Sequence, residues 1–140
     1  MGLASLKRRT IRQGMEAKMV AATPGYEFGS LPELASRLVD VGALPWSPTP
    51  YAGIQVKTLL KDEATGLLTC LFKWEPGAVL PLHEHVELEQ TFVLQGSLVD
   101  EDGEVTSGNY VWRPAGSTHV ATAPHGALVL CFFLKPNRFL

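Results

Sequence analysis

The sequence predicts an all-β fold, a single barrel or sandwich of short antiparallel strands, and three observations carry that reading. From Tyr51 onward the chain is a succession of short apolar or alternating runs. The runs are separated by tight-turn signals at Ala64-Thr65-Gly66, Glu75-Pro76-Gly77, Asp102-Gly103, Ser107-Gly108 and Pro124-His125-Gly126. The chain has 140 residues, 46% apolar and 19% charged, which suits one globular domain that can hold a core without disulfides or a structural metal.

The elements follow in chain order. Residues 1–29 form a basic N-terminal extension, since Lys7, Arg8, Arg9, Arg12 and Lys18 face only Glu16 there; a charge run of this kind at a terminus reads as a solvated arm. Residues 30–50 read as a short helix and a strap. Ser30 and Glu33 make a capping box, Leu31, Leu34, Leu38 and Val41 recur at helical spacing, and Gly42 is a natural stop, so the helix is expected over Ser30–Val41. The three prolines of Pro45–Pro50 predict an extended surface strap outside any sheet interior. Residues 51–140 are the β-barrel body, with strand runs YAGIQVKTLL, GLLTCLFKW, AVLPLHEH, QTFVLQ, SLVD, EVTSG, NYVWR, HVATA and ALVLCFFL. In the second run both the Leu68/Cys70/Phe72/Trp74 face and the Leu67/Thr69/Leu71/Lys73 face are largely apolar, so that strand is expected to be covered on both sides.

Charge and hydropathy exclude several partners. A net charge of −2 gives no field for attracting DNA or RNA, and nucleic acid is not expected. The longest apolar run, Ala127–Leu134, is eight residues, well short of the roughly 20 of a spanning helix, so no membrane segment is expected and no secretory signal is visible. Cys70 and Cys131 lie far apart in apolar runs, which suits buried free thiols and a cytoplasmic location.

The chemistry concentrates in His83, His85, Glu89 and His119. His83 and His85 are two residues apart, so on one strand both imidazoles project from the same face toward a shared cation. Three imidazoles and a carboxylate suit a divalent transition metal, whereas Ca and Mg prefer oxygen shells. No cysteine lies nearby, which favours an open site over a closed structural zinc site. Glu87 shares strand parity with Glu89 and is the rival ligand, Glu84 and Glu87 otherwise being expected in solvent. His125, in a Pro-His-Gly turn, reads as a surface residue. Phe72, Trp74, Phe92, Trp112, Phe132 and Phe133 are available to line a pocket or fill the core, and Arg113 is expected to be exposed unless it meets an anionic substrate. Gly77 and Gly96 are expected to bracket a hairpin that presents the ligands, and Pro114-Ala115-Gly116 to turn the chain before the last one.

At these residues the sequence resembles the cupins. Gly77, five residues, His83-x-His85, three residues, Glu89, six residues and Gly96 reproduce the first cupin motif. Gly108, five residues, Pro114-x-Gly116, two residues and His119 reproduce the second; Ala123 departs from the Asn usual in the family. The resemblance implies a single-domain jelly-roll barrel, with a metal held by His83, His85, Glu89 and His119. Lys57-Thr58-Leu59-Leu60, Thr65-Gly66-Leu67 and Asp100-Glu101-Asp102-Gly103 look like the ChrR-like branch, which includes small dioxygenases that cleave diketones or hydroxyacetophenones. It therefore implies a non-haem Fe(II) dioxygenase acting on a small β-diketone or aryl ketone with dioxygen, and a homodimer; Zn, Mn, Ni, Co or Cu are the other metals compatible with the site. Diketone-cleaving relatives often use three histidines alone, so the role of Glu89 stays open. A zinc-binding sensor like the anti-sigma cupins, a non-redox isomerase and a ligand-binding cupin are the alternatives.

Overall fold

A computed structural model describes residues 38–140, and every regular element within them is a strand. Ten strands follow in order: β1 (Ser47–Pro48), β2 (Ile54–Lys61), β3 (Leu68–Trp74), β4 (Ala78–Glu84), β5 (Glu89–Asp100), β6 (Gly103–Thr106), β7 (Tyr110–Arg113), β8 (Thr118–Ala123), β9 (Ala127–Phe133) and β10 (Arg138–Phe139). All pairings are antiparallel, and they build two faces. One runs β1-β2-β3-β9-β5-β7, the other β10-β4-β8-β5-β6.

β5 belongs to both faces, which closes one side of the barrel. Its first half, through Gly96, pairs with β9 and β7, and Ser97–Asp100 pair with β6 and β8. The sequence runs QTFVLQ and SLVD are therefore one strand that changes sheets at Gly96. There the backbone lies at φ +70° against the Gly126 carbonyl, so a side chain has no room. The pairing also overturns the expected hairpin: β4 and β5 are not ladder neighbours, since β4 pairs with β8 and β10 and β8 lies between β4 and the second half of β5.

Inward-facing residues alternate as strand geometry requires. Cys70, Trp74, Val93, Val129, Cys131 and Phe133 are buried from the first face, Ala121 and Ala123 from the second. Small alanines on one wall against large side chains on the other leave space between the sheets. Cys70 and Cys131 prove to be direct register partners across β3 and β9, both free and buried. Burial pushes the Cys70 thiol up to about 11 and Cys131 well above its usual value, so both are protonated at neutral pH.

Residues 1–29 and residues 30–37 of the expected helix lie outside the described residues. Its last part, Leu38–Val41, is not helical. Asp40 competes for the backbone there, its carbonyl and side-chain oxygens both accepting the Ala43 N–H at 3.2 Å. Lys57 fixes the turn by donating to the Val41 carbonyl at 2.7 Å, and the ring of Trp46 lies over the Lys57 and Lys73 ammonium groups at 4.9 and 4.7 Å. The proline strap contributes β1, an edge strand of two residues, which is where a sheet tolerates Pro48.

Candidate metal centre

β4 and β8 place two of the three histidines by register alone, since His83 and His119 are Cα partners. Their side chains meet tip to tip, Nε2 to Nε2 at 3.0 Å. The ladder slips between Leu80 and His83, a bulge that contains Pro81, and the Pro81 carbonyl accepts the Nδ1–H of His83 at 2.8 Å. His85 follows just beyond the end of β4, and the Pro114–Ser117 turn grips its backbone. The His85 N–H donates to the Ser117 carbonyl at 2.9 Å, and its own carbonyl accepts the Gly116 N–H at 2.7 Å. The turn expected before His119 thus also positions His85, which gives a reason for the Pro114-x-Gly116 spacing.

The three rings converge with centroids 4.6–5.0 Å apart, and their ligand nitrogens lie within 4.8 Å of one another. His83 and His85 are 1% and 0% exposed. The Nδ1 of His83 and of His119 each have an acceptor, Pro81 and the Asp100 Oδ2 at 2.7 Å, and the Nδ1 of His85 faces the Glu89 Oε2 at 2.8 Å. The last contact lacks hydrogen-bond alignment, and both nitrogens of His85 are buried without a hydrogen-bond partner. An acceptor at Nδ1 puts the ring proton there and leaves the Nε2 lone pair facing inward. Two such lone pairs 3.0 Å apart, beside an orphaned third imidazole, make a site that could hold a shared cation. The residues fit a divalent metal.

Glu89, expected as a fourth ligand, is placed outside the trio. Its Oε1 accepts the Thr91 hydroxyl at 3.0 Å and its Oε2 accepts the Asn137 side-chain N–H at 3.2 Å while touching His85. Burial pushes its carboxyl up, but the His85 contact and these two hydrogen bonds outweigh that and hold it below the usual carboxylate value. The rival Glu87 is in none of these contacts, and Glu84 pairs at the surface with Arg138 at 2.5 Å. His125 lies in an exposed turn.

Two residues that the sequence reading did not assign complete the surroundings. Asp100, at the end of β5, touches His119, accepts the Asp102 backbone N–H at 2.9 Å and is paired with Arg113. Burial raises the Asp100 carboxyl, and the hydrogen bonds from His119 and Asp102 with the Arg113 charge more than reverse it. Arg113 is therefore not an exposed side chain: at 16% exposure it spans Asp100 and Asp102. Nothing in a D-E-D-G turn marks its first residue as a histidine partner, because the contact crosses from β5 to β8. Asn137, in the C-terminal tail, was equally invisible.

Above the trio lies a cavity of about 270 Å³ between the sheets, lined by His83, Glu89, Asp100 and His119 together with a largely apolar wall. Of the six aromatics considered from the sequence, Phe72, Trp74 and Phe133 line it, whereas Phe92, Trp112 and Phe132 are exposed on the outer face.

The cluster makes acid a specific stress for the metal-free protein. Burial holds His83 below its ordinary 6.5, helped by repulsion from His119 and His85 and opposed by the Pro81 carbonyl and Glu89. An unfolded histidine takes its proton near 6.5 while folded His83 does not, so the unfolded state binds more protons below that pH. Stability is thus expected to fall as pH drops below 6.5, and Glu89 and Asp100 add a further loss only below their ordinary 4.5 and 3.8. Thermal unfolding in chelator should show a midpoint that declines from about pH 6.5 to about pH 5; a flat midpoint would contradict the buried neutral cluster.

Comparison with known proteins agrees with this architecture. A crystal structure of a candidate acetylacetone dioxygenase from Methylibium petroleiphilum PM1 superposes with a TM-score of 0.73, at 22% identity over 78% of this chain and 83% of that one. An acetylacetone dioxygenase from Acinetobacter johnsonii gives 0.66, at 20% identity over 78% of each chain. The polyketide cyclase RemF from Streptomyces resistomycificus gives 0.61, at 20% identity over 76% of this chain and 86% of that one. At such identities the likeness is one of fold. No curated protein matches the chain. Among the described residues no helix is long and apolar enough to cross a membrane. Residues 34–137 match the family described as the ChrR cupin-like domain, and this chain, with its two-faced barrel and histidine trio, belongs to that family.

Proposed function

We propose that this protein is a non-haem Fe(II) dioxygenase that cleaves a carbon–carbon bond of a small β-diketone or aryl ketone. The observation that carries the reading is the trio itself: three imidazoles whose ligand nitrogens converge within 4.8 Å of one another below an apolar cavity, two of the rings held from behind by hydrogen-bond acceptors and the third facing Glu89. The structural likeness to acetylacetone dioxygenases supports the reaction class. A bound Fe(II) would supply Lewis acidity and dioxygen chemistry to a chelating ketone, with coordination positions left open by three protein ligands.

The chain's own residues do the rest. Pro81 and Asp100 keep the His83 and His119 rings in the ligating tautomer, and the Glu89 carboxylate lies against Nδ1 of His85. The apolar wall holds the organic part of the substrate and excludes water. Arg113 is neutralised by Asp100 and Asp102, so the cavity offers no unpaired cation among the described residues, which supports a neutral substrate. Asp100→Asn should weaken metal affinity by roughly 10–100-fold, read by competition with a chromophoric chelator. Oxygen-electrode traces of iron-loaded protein with a panel of β-diketones and hydroxyacetophenones test the activity. Substrate-dependent oxygen uptake is expected; a panel without uptake would discard the dioxygenase, and product formation without oxygen would favour the isomerase.

The homodimer has its support on the outer face of the first sheet. Phe92 and Tyr110 are register partners, as are Gln90 with Phe132 and Gln90 with Trp112, and these four aromatics are 38–59% exposed on uncharged rows. Trp112→Glu with Phe132→Glu should halve the mass seen by light scattering; a native monomer would end the dimer reading.

A further inference from the structure

We propose that Tyr51 and Phe139 form the gate of the cavity, with the C-terminal strand as its moving half. That the gate also controls the metal rests on the reading above; the gate itself does not.

Among the described residues the barrel is sealed on the side where β5 crosses between sheets and open on the other. There the free edges are β1 and β2 on one face and β10 and β4 on the other, and no backbone ladder among the described residues joins them. A ring pair spans the gap. Tyr51, just before β2, stacks on Phe139 of β10 with centroids 4.6 Å apart, and Phe139 also lies 5.4 Å from the ring of His83. Both side chains line the cavity, yet Phe139 is 42% exposed, so it borders ligand space and solvent together.

The two halves are held very differently. Tyr51 sits in a turn knotted by Thr49: the Thr49 N–H and hydroxyl donate to the Ile54 carbonyl at 3.2 and 2.8 Å, and the Tyr51 N–H donates to the Thr49 hydroxyl at 3.2 Å. The Ile54 N–H closes the turn on the Tyr51 carbonyl at 3.2 Å. Phe139 rides on a strand of two residues, paired among the described residues with Glu84 and His83 alone. Its remaining anchors are the exposed Arg138–Glu84 pair, the Leu140 N–H on Leu82 and the Asn137 side chain on Glu89. A short edge strand with exposed bonds is the low-energy element to open, and the knotted turn is the fixed jamb. Opening would part the Tyr51–Phe139 stack and expose the cavity directly beside His83.

The chain carries its own reporter. Cys131 lines the cavity, and Cys70, its register partner, does not, although both are buried in the same sheet. Excess methyl methanethiolsulfonate added to the full chain at mildly alkaline pH, which raises the small thiolate fraction, should reach Cys131 through the gate and reach Cys70 only by unfolding, with mass spectrometry resolving the two peptides. In Tyr51→Ala and Phe139→Ala the Cys131 rate should rise about tenfold while Cys70 stays unchanged, and the double variant should add little, because either change removes the same ring pair. Cys131 rates within about twofold of native in both variants, or Cys70 rising in step, would overturn the gate. Zinc-loaded protein challenged with excess EDTA then tests the link to the trio. Faster zinc loss in Tyr51→Ala, whose side chain touches Phe139 and not His83, supports it. Faster Cys131 labelling with unchanged zinc loss removes the gate's control of the metal. A native protein that never retains zinc fails the metal reading, while Cys131 still decides the gate.

Discussion

Replacing His85 with alanine should abolish stoichiometric metal binding, whereas Glu89→Gln should keep one ion per chain with affinity weakened roughly 10–100-fold. The contrast follows from where the side chains stand. His85 contributes one of three convergent nitrogens, and its Nε2 has no other partner. Two imidazoles cannot make up for its loss, because the ion would lose a third of its protein donors. Glu89 stands behind His85 at Nδ1, and Thr91 and Asn137 occupy its oxygens. Gln can keep those neighbours roughly in place, at the cost of the negative charge that favours the ligating ring. Metal content after gel filtration and chelator competition separate the two effects. Equal loss in both variants would mean that Glu89 moves inward and ligates.

The largest stability effect outside the metal centre is expected at Gly96. A Cβ there would lie 2.0 Å from the Gly126 carbonyl oxygen and 2.9 Å from its carbon, on a backbone at φ +70°. The obstacle is main chain at the point where β5 changes sheets, so no rotamer relieves it. Gly96→Ala should cost roughly 4 kcal/mol or more, enough to leave little folded protein at 37 °C. Gly77→Ala is the matched control: its φ is +83° but nothing lies within 4 Å of the added carbon, so only the left-handed strain of about 1–2 kcal/mol remains. Denaturant unfolding of both variants measures the difference. Similar midpoints would show that the sheet crossing can shift to accept a methyl group.

Why the first cupin motif could be read so directly is plain from these glycines and histidines. Gly77 and Gly96 are needed for backbone conformation, and His83 and His85, two residues apart where β4 ends, for convergence on one point, which are properties that local spacing encodes. The strand runs were legible because turn glycines punctuate them, eight of which take positive φ. Long-range placement was not. That QTFVLQ and SLVD form one strand bridging two sheets depends on Gly126, thirty residues away, packing on Gly96. Asp100 reaches His119 from another strand, Asn137 reaches Glu89 from the tail, and Cys70 meets Cys131 across β3 and β9. None of these pairs has a local signature. Glu89 shows the limit from the other side: its spacing marks it as belonging to the centre, but position along the chain does not say whether a carboxylate faces the ion or the ring behind it.

If His83, His85 and His119 hold one metal ion, metal content of untagged protein purified anaerobically and desalted shows it most directly. Mass spectrometry for metals should find close to one transition-metal ion per chain, reduced to background in His119→Ala, whose loss removes one of the three nitrogens. A folded native chain that retains no ion, even after incubation with iron, zinc or manganese, would contradict it.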